Sequence, residues 1–234
     1  MSSQQQHEPL NSTPTIITLY AIRTAASMIP HILLCEMKLQ YDIKFLNSSN
    51  NEHKSEEYLK INPNGVVPTL IMKEEGGTDE LVLFETSAIC LYLTDRFPQF
   101  KLAPPLNTKE RALFYQYLAL LSTGIQPDMI LFYYPHRYVS SEDQYATFKL
   151  ETEKRIYEKF KIFDRVLSDG RSYLLGDEFY CVDIYLFILS RWSRNFEAYK
   201  ARDLPHLGPY LKRIFERESV QQVFKIEEIQ EPYY

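Results

Sequence analysis

The stretch "NPNGVVPTL", Asn62 to Leu70, decides how the first half of the chain is read. An Asn-Gly turn at Asn64 and Gly65 leads into Val66, Val67 and Pro68 directly before a strand, where a proline can donate nothing to a central ladder. One reading makes Pro68 a strand-edge proline. The other makes Val67-Pro68 a cis bond that turns the Val67 backbone outward, so that its N–H and C=O pair with an extended peptide-like ligand, as in strand addition.

Working outward from that stretch, short β-like runs alternate with helical ones. "IITLY" is a strand, "SMIPHILLCEMKL" a helix, "YDIKFLN" a strand and "SEEYLKI" a short helix; after the proline come "VPTLIM", a turn at "EEGGTDE", "LVLF" and the helix "TSAICLYLTDRF". The order is βαβ-α-ββα. The first two strands are joined through a helix and should be parallel, whereas the hairpin-type turn makes the last two antiparallel.

Beyond "FPQFKLAPPLN" only helical patterns remain. "TKERALFYQYLALLSTGI" is one; in "YATFKLETEKRIYEKFKIFDRVLSD" Ile156, Phe160, Phe163 and Leu167 recur on one face. "VDIYLFILSRW" is apolar nearly all round and reads as the central buried helix, with "LGPYLKRIFERE" and "SVQQVFKI" outside it. The fold class expected is α/β plus all-α: a disordered arm over 1–14, an α/β domain over 15–97, a linker over 98–107 and an all-helical domain over 108–234.

Composition narrows the function classes. The formal charge is −5 with no basic cluster, which argues against nucleic acid. No apolar run approaches the roughly 20 residues that cross a bilayer, so no membrane association is expected. The arm lacks the apolar core of a secretory signal, which points to a cytoplasmic home. Cys35, Cys90 and Cys181 form no C-x-x-C pair and read as reduced core residues. The histidines lack metal-ligand spacing and the seven glycines form no phosphate loop, so no metal is expected.

Three segments carry chemistry. In "LFETSAICLYL", Glu85 and Thr86 stand where a strand meets a helix; they either cap that helix or offer its free N–H groups to a carboxylate, with Glu85 accepting from an ammonium. In "NEHKSEEYL", His53 and Lys54 precede a short helix, either solvated or reaching an anion. "RTAAS", Arg23 to Ser27, follows the first strand with two hydroxyls and no cysteine.

In this order and spacing, the N-P-x-G-x-V-P run, the E-[ST]-x-A-I run and the all-helical half with "VDIYLF" resemble the soluble glutathione transferase family, over nearly the whole chain beyond the arm. Traits are shared with phi/theta-like and bacterial beta-class members. The resemblance implies a thioredoxin-like domain followed by a helical domain, a homodimer, glutathione as co-substrate and a small hydrophobic electrophile as acceptor. It also implies roles. Val67, before Pro68, pairs with the cysteinyl backbone; Glu85 and Thr86 hold the γ-glutamyl end; His53 and Lys54 hold the glycyl carboxylate.

The family activates the thiol with a residue after the first strand. Matching "HILLCEM" to the helix of serine-type members puts Thr24 there; Ser27 comes second, with a helix cap as its alternative, and Tyr20 third. Arg23 either stabilises negative charge or is solvated. The beta-class cysteine falls on Ala26, which disfavours a mixed disulfide, and the histidine of that class is replaced near Ser122 and Thr123. Tyr20, Phe132, Tyr133 and Trp192 are the expected walls of the acceptor pocket, with a core role open for Trp192. The family's S/T-x-x-D box retains Asp183 but has Tyr180 at the hydroxyl position, which makes Asp183 a structural residue. The function implied is a glutathione transferase with peroxidase side activity; the alternative is a binding or regulatory protein with little catalysis.

Overall fold

Alternating burial along the first strand sets the layers. The computed structural model describes residues 15–234, so the arm read over 1–14 lies outside the described residues. In β1 (Thr15–Ala21), Ile17, Leu19 and Ala21 are buried while their neighbours are not, which gives one core-facing side. With β2 (Asp42–Phe45), β3 (Thr69–Glu74) and β4 (Glu80–Phe84) it forms a sheet of order β2-β1-β3-β4. β1 and β2 are parallel, and β3 is antiparallel to both β1 and β4, as the connections require.

The helices of this half are α1 (Met28–Glu36), α2 (Glu56–Ile61) and α3 (Thr86–Arg96). Pro30 sits in the first turn of α1, where its missing N–H has no intrahelical acceptor to lose. Ser55 caps α2, its hydroxyl accepting the Tyr58 N–H at 3.2 Å.

The second half contains α4 (Lys109–Ala119), α5 (Gln126–Tyr133), α6 (Tyr145–Leu167), α7 (Cys181–Trp192), α8 (Leu207–Phe215) and α9 (Glu218–Ile226). Helix α4 does not stop at residue 125 as its pattern suggests. It passes through a π-helical turn, Leu120–Ile125, into α5. Pro127 explains the turn: a proline ring collides with the carbonyl four residues back, and widening the helix ahead of it relieves the collision. The face of α6 that carries Ile156, Phe160, Phe163 and Leu167 is buried, and every residue of α7 is buried. Among the described residues, no helix is long and apolar enough to cross a membrane.

The start of α7 is closed by its own acid. Asp183 is fully buried and accepts from the Leu174 N–H at 2.9 Å, the Tyr180 N–H at 2.8 Å and the Tyr210 hydroxyl at 2.7 Å. Burial pushes its carboxyl up to about 6 against the pull of those donors, so at neutral pH it is a carboxylate. The missing hydroxyl of the box is replaced by backbone: the Asp183 N–H donates to the Tyr180 carbonyl at 2.9 Å. The connector between the halves is pinned as well, by Arg111 on the Pro104 carbonyl at 3.0 Å and by the Cys181 N–H on the Leu102 carbonyl at 2.9 Å. The three cysteines are buried and free.

Candidate active site

Strand register gathers the expected residues at one end of the sheet. Tyr20 pairs with Thr69, and Thr69 with Phe84, so these three form one row across β1, β3 and β4. Just past that row lie the β1–α1 loop, the Val67-Pro68 step and the Glu85-Thr86 step. Sites in sheets flanked by helices form at such strand ends, where loops diverge and leave a crevice.

The loop before β3 is shaped by a buried polar network. Asn62 donates to the Val66 carbonyl at 2.9 Å and to the Thr69 hydroxyl at 3.0 Å, while its own carbonyl accepts the Asn64 N–H at 3.1 Å. The Tyr58 hydroxyl reaches the same two oxygens, each at 2.7 Å. These bonds tie Val66 inward. Val67-Pro68 is cis, and neither the Val67 N–H nor its C=O has a hydrogen-bond partner among the described residues. Gly65, at φ +59°, is required by close approach: a Cβ there would lie 2.9 Å from the His53 carbonyl and from Lys54 Cδ and Nζ. Lys54 Nζ donates to the Asn64 carbonyl at 3.1 Å, so its charge stands over this turn.

At the start of α3, Glu85 is exposed at φ +72° and makes no side-chain cap. A non-glycine residue held at positive φ costs of order 1–3 kcal/mol, and such residues cluster at functional sites. Thr86, 4% exposed, comes next, and the N–H groups of Thr86, Ser87 and Ala88 find no acceptor among the described residues. An uncapped helix N-terminus favours an anion.

His53 is half-buried, and its Nδ1 is buried with no partner. Burial first, then the charges of Lys54 and Arg137, hold its pKa below the usual histidine value. Arg137 comes from the turn after α5, stacked 4.0 Å over the Tyr134 ring. The helical half thus adds a second cation, Arg137, beside Lys54 and the largely neutral His53, and no motif in its neighbourhood signals this.

The hydroxyl candidates separate clearly. Ser27 is fully buried; its hydroxyl donates to the Ile22 carbonyl at 3.0 Å and accepts the Ile22 N–H at 3.2 Å. Its side chain therefore does not cap α1, contrary to that reading, and its hydroxyl is engaged by the Ile22 backbone. Tyr20 is half-buried, its ring 5.5 Å from that of Tyr58 and its hydroxyl accepting from Lys44 Nζ at 3.3 Å. Thr24 is exposed at φ +68°. Its N–H donates to Glu227 Oε2 at 3.0 Å, its carbonyl accepts from Trp192 Nε1 at 3.2 Å, and its hydroxyl has no partner among the described residues. Ala26 is buried, and Arg23 lies over the Phe45 ring and 3.6 Å from Glu228.

Of the expected acceptor walls, Phe132 and Trp192 are largely buried, and the Tyr133 hydroxyl donates to the Trp192 carbonyl. Trp192 is both core and contact: its indole is packed, yet its N–H meets the Thr24 loop. Sequence reading missed Glu227 altogether, since a carboxylate 203 residues from Thr24 leaves no local pattern. Among the described residues, no group of three or more His, Cys, Asp or Glu side chains could hold a metal ion.

Comparison with known proteins bears on this geometry. Residues 16–95 match the model "Glutathione S-transferase, N-terminal domain" and residues 127–218 the model "Glutathione S-transferase, C-terminal domain". The chain is similar to the uncharacterized GST-like protein YncG of Escherichia coli (strain K12), 27% identical over 92% of this chain and 100% of that one. It is also similar to glutathione S-transferase GstA of Escherichia coli O157:H7, 26% identical over 87% and 94% of the two chains. Among solved structures, a sphingomonad glutathione S-transferase complexed with glutathione superposes with a TM-score of 0.75 at 25% identity, over 91% of this chain and all of that one.

Proposed function

The chain belongs to the glutathione S-transferase family, and from that premise we propose that it binds glutathione at the strand ends described above, ionises its thiol and adds the thiolate to electrophilic hydrophobic compounds. The open Val67 N–H and C=O pair with the cysteinyl backbone as an added strand. Glu85 accepts from the γ-glutamyl ammonium, while Thr86 and the free N–H groups of α3 take its carboxylate. Lys54, His53 and Arg137 converge on the glycyl carboxylate. A tripeptide with a carboxylate at each end needs donors at both ends, and the site supplies them.

The observation that carries the chemistry is the Thr24 hydroxyl. Of the three hydroxyl candidates it alone has no hydrogen-bond partner among the described residues, and it stands just before α1, at the same sheet end as Val67. A free thiol has a pKa of about 8.5, so an O–H donated to sulfur, helped by the nearby helix N-terminus, raises the thiolate fraction at neutral pH. The thiol proton leaves to solvent and the sulfur lone pair attacks the electrophile. With alanine at position 26 no covalent enzyme intermediate forms, and catalysis is positioning plus thiolate stabilisation. Tyr20, Phe132, Tyr133 and Trp192 wall the acceptor side.

A second reading, a glutathione-binding or regulatory protein with little catalysis, is favoured by one observation: the donor is a β-branched residue in a left-handed conformation. Ultraviolet titration of the thiolate of bound glutathione, run beside conjugation to a general aromatic electrophile, separates the two. A thiol titrating below its free value with turnover is expected; tight binding with an unshifted thiol and no turnover establishes the second reading. The proposal extends to glutathione-dependent peroxidase activity, a homodimer and a cytoplasmic home. Hydroperoxide reduction, sedimentation and cell fractionation test these in turn.

A further inference from the structure

The match to the C-terminal family model ends at residue 218, and the segment beyond it folds back onto the thiolate side of the molecule. Helix α9 closes in a left-handed cap at Glu228, φ +56°, with the Ile229 N–H on the Phe224 carbonyl at 2.9 Å and the Glu228 N–H on that of Lys225 at 3.2 Å. This ending fixes Glu227 in the last turn with its side chain fully buried. Oε2 accepts the Thr24 N–H at 3.0 Å, and Oε1 accepts from His31 Nδ1 at 2.8 Å.

For stability alone this carboxylate is badly sited. It is desolvated, and it stands at the negative end of its own helix, where the dipole disfavours an anion. Besides His31, the cation that feels its charge makes no ion pair with it: Arg191 of α7 lies buried against the Phe224 ring at 5.4 Å with Nε and Nη1 unpartnered among the described residues. Burial lowers that guanidinium to about 10, assisted by Arg194 and opposed by Glu227. Beyond tying α9 to His31 of α1, the arrangement controls one loop residue. Glu227 grips the Thr24 N–H and Trp192 grips the Thr24 carbonyl, so the peptide units on both sides of a left-handed threonine are held and the direction of its Cα–Cβ bond is set. Arg23 on Glu228 adds a neighbouring tie.

We infer that Glu227 is a positioning residue that, with Trp192, aims the Thr24 hydroxyl at the glutathione sulfur, so that the C-terminal segment beyond the family match controls thiolate formation. This rests on the transferase reading above, but the chain carries its own independent reporter: Trp192 is its single tryptophan, and its indole N–H is one of the two grips. Glu227→Met keeps length and removes both acceptors; Glu227→Gln keeps an acceptor for the Thr24 N–H. In Glu227→Met, Trp192 emission should shift and kcat should fall by up to about 100-fold, as for a small misplacement of a reacting group, with KM for glutathione little changed. Glu227→Gln should restore most of both.

Combined with Thr24→Val, Glu227→Met should cost no further turnover, because both act through one hydroxyl. Should Glu227→Met not fold, Glu227→Asp replaces it: the charge stays, the side chain is one methylene too short for Thr24, and the same losses are expected. Unchanged Trp192 emission, unchanged kcat, or losses that add to those of Thr24→Val would each overturn the inference. If the wild-type protein turns nothing over, the transferase reading falls, and Trp192 emission in the Glu227 variants alone decides the grip.

Discussion

Helices α3 and α7 both begin beside an acidic residue, and the two beginnings are built in opposite ways. At α7 the acid sits inside: Asp183 is fully buried and its carboxylate is filled by two backbone N–H groups and a tyrosine hydroxyl. At α3 it sits outside: Glu85 is exposed at φ +72°, caps nothing, and leaves three N–H groups without acceptors among the described residues. A helix N-terminus always presents orphan donors. In α7 the chain spends them on its own fold; in α3 it holds them open at a strained residue. The difference teaches where to look for a ligand: the strained and unsatisfied end is the one available to bind.

The largest effect expected of breaking this contrast is at α7. Asp183→Asn turns one acceptor into an NH₂ that faces a donor, and leaving a buried donor unsatisfied costs about 1–3 kcal/mol, more beside a charge. Denaturant unfolding should show that loss, while turnover per folded molecule stays near that of the wild type. Glu85→Gly should do the reverse. Glycine adopts φ +72° without strain, and relief of that strain, about 1–3 kcal/mol, offsets the larger entropy of the unfolded glycine, so stability should hold or rise. Glutathione affinity, measured calorimetrically, should fall about tenfold or more, the worth of a hydrogen bond to a charged group at about 1.5–3 kcal/mol. A variant that loses both stability and affinity would make Glu85 a structural cap like Asp183 and erase the contrast.

The smallest effect is the pH dependence at the other end of the tripeptide. Burial and the charges of Lys54 and Arg137 keep His53 below the usual histidine range, so it is neutral above about 6.5. A bound carboxylate favours the imidazolium. Binding therefore takes up a proton, and affinity should rise as pH falls through the range below about 6.5. S-methylglutathione, which has no thiol to ionise, isolates this effect; His53→Asn should flatten it.

Local pattern carried much of this. The proline of "NPNGVVPTL" and the acid of "FETSAI" marked two of the strand-end steps, because a turn, a missing N–H and a helix start each leave a short signature. Register then brought those steps together on the row of Tyr20, Thr69 and Phe84. What stayed illegible is what depends on contacts between distant residues. Ser27 and Thr24 look alike in "RTAAS"; a local loop closes the Ser27 hydroxyl onto the Ile22 backbone, and the exposed Thr24 is held from 203 and 168 residues away by Glu227 and Trp192. Glu227 and Arg137 reach the candidate site from the helical half with no periodicity or motif to mark them, and the hold of Trp192 on the Thr24 carbonyl is equally unmarked. The π-helical turn was half-visible: Pro127 announces a disturbance, but the sequence does not say that the helix continues through it.

The most direct test is the ultraviolet titration of glutathione bound to the wild-type protein, to Thr24→Ser and to Thr24→Val. If the Thr24 hydroxyl donates to the sulfur, the wild type and Thr24→Ser should both titrate below the free thiol's value of about 8.5. Thr24→Val, of the same shape without the O–H, should titrate about 1–2 pH units higher, the equivalent of about 1.5–3 kcal/mol. Identical titrations in the wild type and Thr24→Val would contradict it and move the thiolate donor elsewhere, with Tyr20 next in line.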